Sequence, residues 1–336
     1  MRSDPEQKFV IKRKVFYNYR MSKDLLIQQI QSAITDEIFY ALGLNRRGVS
    51  RRVFGWLFAP PTRRFASIMA DVDEAVADGG PSAGCQVMLD ALGVQTRSDG
   101  VLNVPKTGPA IILANHPGAY DSMAIGSLIP RSDLNVIVAK TRLYQVLPNI
   151  HPHMFYTSAD SSESMTALRM ATKHLQQGGI LLQFGSGLIE PDPAHFPLDD
   201  SVFERWSPSI EIFLRKVPQT YVVPTIASNV VLKRFVNHFL TRLRRLPMDK
   251  RRLAEFMQVI QQLLFPKSVD AQPCISFGAP FNLDSLQTEG VGRRLMPAIL
   301  TRINDQLAIH LKTFAHIHGS KVNIFLKKNH MKVIDK

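Results

Sequence analysis

Apolar and polar positions divide the chain into two regions with different periods. Over roughly the first hundred residues, apolar positions recur at helical spacing. Leu25, Leu26, Ile30, Ile34, Ile38, Phe39 and Leu42 predict a helix over Lys23–Leu44. Similar patterns predict helices over Val53–Phe58, Phe65–Ala77 and Cys85–Leu92, the last two divided by the breaker cluster Asp78-Gly79-Gly80-Pro81. Ser98-Asp99-Gly100 reads as a turn. It separates a helical region, 1–100, from the remainder, 101–336.

Past that turn the apolar positions form short continuous runs: Pro109–Ala114, Asn135–Ala139, Met154–Thr157, Ile180–Phe184, Tyr221–Thr225 and later Pro273–Phe277. Helical stretches lie between or after them, at Ser122–Leu128, Ser162–Gln177, Pro208–Arg215, Leu253–Phe265 and Val291–His316. Buried strands alternating with helices predict an α/β fold. A mostly parallel mixed sheet is flanked by helices and preceded by the helical N-terminal region.

Two segments are both apolar and strongly basic. In 46–64, Arg46, Arg47, Arg51 and Arg52 precede the run Val53–Phe58, and Arg63 and Arg64 follow Pro60-Pro61. Two readings stand for it: a core helix with basic ends, or an interfacial anchor with Trp56, Leu57 and Phe58 among lipid headgroups. Val230–Leu246 reads as an amphipathic helix that covers the sheet, lines an acidic ligand's entrance, or lies on a membrane.

Composition narrows the classes. With 336 residues, 45% hydrophobic and 21% charged, the chain is an ordinary globular protein of one large or two modest domains. A net charge of +13 favours anionic partners. The aromatics among the basic patches are few and fit no nucleic-acid module, so no nucleic-acid partner is expected. No apolar run approaches the ~18–20 residues of a membrane span. The opening MRSDPEQKFVIKRK lacks the apolar core of a secretory signal. Cys85 and Cys274 form neither a disulfide framework nor a metal cluster, and no metal is expected. The expected location is cytoplasmic, peripheral on the inner face of the membrane.

The candidate chemistry sits in AIILANHPGAYDS, residues 110–122. A buried strand reaches Asn115-His116, turns through Pro117-Gly118 and meets a helix at Asp121. A neutral imidazole can take a proton from an alcohol attacking a carbonyl, and a carboxylate on its other nitrogen steadies the cation. The turn allows this pairing, since residues five apart in a straight helix do not share a face. The bland reading is a strand-to-helix turn with Asp121 as helix N-cap. The spacing alone decides nothing, because His195/Asp200 and His330/Asp335 repeat it. Only His116 joins a strand to a helix.

NHPGAYDS resembles the Asn-His-x4-Asp motif of the glycerolipid acyltransferase family. ILLQFGSGLIEPDP, 180–193, resembles that family's strand-and-turn third motif, with Phe184 and Gly187 matching and Gly185-Ser186 standing where Pro-Glu is usual. VVPT, 222–225, resembles its fourth motif, and Met154–Asp160 takes the place of the second. Ser186-Gly187 and Pro191-Asp192-Pro193 look like the soluble plastid glycerol-3-phosphate acyltransferases, which also carry a helical N-terminal domain.

This resemblance implies a glycerol-3-phosphate acyltransferase-like fold. It implies O-acyl transfer from acyl-CoA or acyl carrier protein to a lipid or glycerol-phosphate acceptor, with no cofactor beyond the thioester and an anionic membrane surface as partner. His116 would be the general base and Asp121 its support. Asn115, Gly185, Ser186, Gly187, Lys140 and Arg142 would bind substrate. For Gly185–Gly187 a plain tight turn is an equal reading. Leu188-Ile189 replace the family's phosphate-gripping arginine, leaving that charge to Arg142, Lys140, Arg205 or Lys233. Phe184 and Leu188 exclude a nucleophile elbow at Ser186. The alternative from another class is a non-catalytic, membrane- or lipid-binding acyltransferase-like protein.

Overall fold

The computed structural model describes residues 23–39, 49–118, 120–196, 203, 205–243, 246–288 and 294–318. The N-terminal arm, Arg46 and Arg47, Asp200, and the tail with His330 and Asp335 lie outside them. Seven strands form one sheet: β1 (Arg97–Asp99), β2 (Ala110–Ala114), β3 (Leu134–Ala139), β4 (Met154–Thr157), β5 (Ile180–Phe184), β6 (Tyr221–Ser228) and β7 (Cys274–Phe277). Their order is β1-β7-β6-β2-β5-β3-β4. Every pairing is parallel except β6 with β7. The architecture is therefore the mostly parallel mixed α/β sheet predicted, with a short edge strand, β1, that the pattern did not reveal.

Helices cover both faces: α1 (23–39), α2 (Val49–Leu92), α3 (Asp121–Gly126), α4 (Arg142–Gln145), α5 (Ser161–Gln176), α6 (Ser209–Lys216), α7 (Lys233–Val236), α8 (Phe239–Arg242), α9 (Pro247–Leu264), α10 (Leu283–Thr288), α11 (Met296–Thr313) and α12 (Ala315–His318). β2 is buried along its whole length and alternates between two cores. Ala110, Ile112 and Ala114 join α2, α3 and α9 residues such as Met69, Met88, Ile125 and Ala254. Ile111 and Leu113 face Ala171, Phe213 and Ile303 of α5, α6 and α11. A strand buried on both sides must be apolar throughout, which is why AIILA is a continuous run rather than an alternation.

Three helix expectations change. The helix of 49–92 runs through Pro60 and Pro61, with its break at Gly80 (φ 77°), where a glycine is needed. Beside the prolines, Thr62 donates to the Phe58 carbonyl at 2.8 Å. The single helix expected over Val230–Leu246 is two one-turn helices, α7 and α8, after a non-helical 229–232 stretch that begins with Asn229 at φ 55°. Side chains elsewhere claim that backbone: Asp192 accepts the N–H groups of Asn229 and Val230, each at 2.9 Å, and Tyr120 donates to the Val230 carbonyl at 2.7 Å. Finally, α11 begins at Met296 because Glu211 accepts the Leu295 and Met296 amides.

Register positions the site. Ala114 of β2 pairs with Phe184 of β5 and Thr225 of β6, so the carboxyl ends of β2 and β5 lie side by side while β6 runs on to Ser228. The turns after β2 and β5 meet there, in the place where α/β sheets gather functional groups.

Candidate active site

His116 follows the end of β2 by two residues and Asp121 opens α3. The Pro-Gly turn between them brings His116 Nδ1 within 2.8 Å of Asp121 Oδ2. Asp121 is fully buried and accepts two further backbone bonds, from Gly118 at 3.1 Å and Ser122 at 2.6 Å. It is the first helical residue rather than the N-cap; Tyr120 holds the cap position without a side-chain bond. With Asp121 accepting, Nδ1–H donates and Nε2 is the nitrogen left for chemistry. No hydrogen bond of Nε2 is found among the described residues. The imidazole stacks on Phe184 with centroids 4.4 Å apart.

Glu190, not singled out from the sequence, ties the two turns together. Its Oε2 accepts the His116 amide at 3.2 Å, its own amide donates to the His116 carbonyl at 2.7 Å, and its Oε1 accepts the Trp206 indole N–H at 2.8 Å. Burial pushes this carboxyl's pKa up, partly offset by the nearby Ser186 hydroxyl and then by the His116 amide and the Trp206 indole. Burial also disfavours the His116 cation. The charge and hydrogen bond of Asp121, with Glu255 and Glu190 nearby, outweigh it and push the imidazole up to about 9.

The glycine turn has its own logic. A Cβ on Gly185 would lie 1.9 Å from the Trp206 ring, so the indole that anchors Glu190 requires glycine there. Gly187 has φ +65°, a left-handed conformation. The Gly185 amide is spent on the Ala114 carbonyl at 2.9 Å, whereas no hydrogen bond of the Ser186 or Gly187 amide is found among the described residues. The Ser186 hydroxyl folds back on Leu188, accepting from its amide at 3.2 Å and donating to its carbonyl at 3.1 Å.

Other expected binding residues are engaged elsewhere. Asn115 is buried and exchanges two bonds with the Ala227 backbone, 2.9 and 2.7 Å, so its amide fastens β2 to β6. Lys140 pairs with Glu163 and Arg142 with Asp36, and neither lines the cavity beside His116. Arg205 and Lys233 are exposed. His195 binds the Val231 carbonyl at 2.6 Å, a structural role.

That cavity has a volume of about 750 Å³, within the ~300–1,000 Å³ range of small-molecule sites. It follows β3 from Leu134 to Ala139, about 17 Å at strand rise. Val72, Val76 and Met88 of α2 form its opposite wall. His116, Phe184, Gly187 and Ile189 line it together with Arg252 and Glu255 of α9. Arg252 is the one Lys or Arg among its described lining residues. Arg252 and Glu255 escaped the sequence reading; they stand three apart on α9, at the end of the charged run 249–252 that the sequence pattern leaves outside the helix.

No protein-family model and no curated protein matches the sequence. Four solved chains match. One is the crystal structure of the 1-acyl-sn-glycerophosphate (LPA) acyltransferase, PlsC, from Thermotoga maritima, at 14% identity and a TM-score of 0.39, covering 86% of this chain and 97% of that one. A likeness at that level carries no argument of its own. The functional reading rests on the site.

Proposed function

We propose that this chain is an acyltransferase, moving a fatty acyl group from an acyl thioester to a hydroxyl of a lipid or glycerol-phosphate acceptor. One observation carries the reading: an imidazole backed by a buried carboxylate lies on the wall of a long apolar cavity. Apolar walls of α2 and β3 suit an acyl chain, and each buried methylene contributes about 0.8 kcal/mol. His116 Nε2 takes the acceptor's proton as its oxygen attacks the thioester carbon. The tetrahedral oxyanion is met by the Ser186 and Gly187 amides. The C–S bond then breaks, and the imidazolium returns the proton to the departing sulfur. The donor is acyl-CoA or acyl carrier protein, whose negative charge matches the basic chain.

A membrane-facing role is supported by exposed apolar groups beside cations. Trp56 is 80% exposed on α2 with Arg63 and Arg64 exposed about two turns on. Phe239, Leu243 and Leu246 are likewise exposed beside Arg242. No helix among the described residues is long and apolar enough to cross a membrane.

The test is purified protein with acyl-CoA or acyl-carrier thioesters and a panel of lysolipids and glycerol phosphate. Acceptor-dependent thiol release is expected, and His116→Ala should abolish it. Release that survives in that variant would overturn the base assignment. Wild-type inactivity with every pair would favour a lipid-binding protein without chemistry, the reading suggested by the exposed Leu188 of the third-motif turn. Vesicle flotation tests the membrane face: binding should require anionic lipid.

A further inference from the structure

A second, smaller cavity lies against the same catalytic turn, and its electrostatics are the opposite of the first. Its volume is about 250 Å³, the space of about eight waters at ~30 Å³ each. Pro117, Phe196, Val231, Val236 and Ala254 give it mostly apolar walls, into which Arg242, Lys250 and Arg251 bring three cations. α9 divides the two cavities: Lys250, Arg251 and Ala254 line the small one, Arg252 and Glu255 the large one.

Asp192 also lines this space, but its carboxylate is already consumed. Oδ1 accepts the amides of Ala194 and Asn229 and Oδ2 that of Val230, each at 2.9 Å. The cations are not so matched. No carboxylate forms an ion pair with Arg242, Lys250 or Arg251 among the described residues. Arg251 is half-buried, its Nε is enclosed without a hydrogen-bond partner, and Nη2 makes one long contact, 3.4 Å, to the Ile189 carbonyl. Ile189 precedes the Glu190 that holds His116. Partly desolvated guanidinium donors with no acceptor are costly unless an anion completes them, and arginine's fork suits phosphate oxygens.

We propose that Arg242, Lys250 and Arg251 form a binding site for a phosphate group carried by one of the reactants of the His116 site. The reactant's identity rests on the acyl-transfer reading; the binding of phosphate does not. The space admits a phosphate and a short polar head but no long chain. The phosphate belongs either to the acceptor or to the 3′-phosphate end of a coenzyme A donor.

Calorimetric titration with glycerol 3-phosphate, coenzyme A and 3′-dephospho-coenzyme A tests this without relying on turnover. Wild type should bind at least one of them, more weakly as salt rises. Arg251→Gln and Lys250→Gln should each weaken that binding about tenfold or more, while Lys173→Gln, an equal charge change on α5, should not. Lys250 is exposed, so its substitution keeps the test valid where Arg251→Gln unfolds the protein. Loss confined to glycerol 3-phosphate assigns the acceptor; loss for coenzyme A but not its dephospho form assigns the donor. His116→Ala should still bind. Absence of binding to wild type at millimolar probe, or unchanged binding in both variants, overturns the proposal. Binding lost in both variants of a protein that transfers no acyl group would leave the anion site standing and remove the acyl-transfer reading.

Discussion

Two histidines on opposite faces of the sheet show how little residue type says about role. His116 has a carboxylate partner, lines a cavity, and is pushed up to about 9. His310 of α11 is fully buried between two hydroxyls, with Nε2 at 2.7 Å from Ser228 Oγ and Nδ1 at 2.8 Å from Ser276 Oγ. Burial, with His318 beside it, holds its pKa well below the ordinary value. A Ser–His contact of this kind resembles a nucleophile with its base, yet no substrate reaches it. Its work is to fasten α11 to β6 and β7. Access and a carboxylate, not the histidine, distinguish the two.

The largest expected effect comes from exchanging their fates by mutation. His116→Ala should lower kcat/KM by about 10²–10⁴-fold, with little change in the denaturation midpoint above pH 9, where the ion pair with Asp121 is already lost. His310→Ala should do the reverse, costing roughly 2–4 kcal/mol of stability in a urea titration by opening a buried void and removing one partner from each hydroxyl, Ser228 keeping His318 and Ser276 keeping Gln306. Equal activity losses in the two variants would erase the contrast.

The pH profile comes next. With His116 as the proposed base its reacting form is neutral, so kcat/KM should rise about tenfold per pH unit and level off near 9. Glu255→Gln removes one of the charges that favour the cation, and should move that midpoint down. A profile already flat by pH 7 would contradict the electrostatics of the free site.

Stability should feel the two groups in opposite directions. His310 resists protonation when folded, so stability should fall as pH drops below the unfolded value of about 6.5, by about 1.4 kcal/mol per pH unit. The His116–Asp121 ion pair contributes fully below about 6.5 and is lost as pH climbs through about 9. Denaturation of His116→Ala and His310→Ala across pH should lift one limb each.

The smallest effect lies in the cavity wall. Each methylene of the donor chain should change kcat/KM by about fourfold, from ~0.8 kcal/mol of burial. Val76→Phe should shift preference to shorter chains; an unchanged preference would place the acyl group elsewhere.

Much of this was legible in order along the chain. The strands β2 to β6 stand within a few residues of their apolar runs, since a doubly buried strand leaves no choice of polar side chain. The His116–Asp121 pair followed from a strand, a turn and a helix contiguous in sequence. Other features were not legible. Asn115 looked like a substrate ligand because nothing local shows that Ala227, 112 residues on, takes both its polar atoms. The stretch 230–246 has a helical pattern, but bonds from Asp192, Tyr120 and Gln258 hold its first residues out of a helix.

By itself, then, the amino-acid order determined the sheet, the helical N-terminal region and the His116–Asp121 pair, because periodicity and turn chemistry act over a few residues. Only the tertiary structure decided which charges surround that pair. Glu190, Arg251, Arg252 and Glu255 reach the site through Trp206 and α9, and their influence depends on burial and on distance in space. Neither quantity is written in a local pattern.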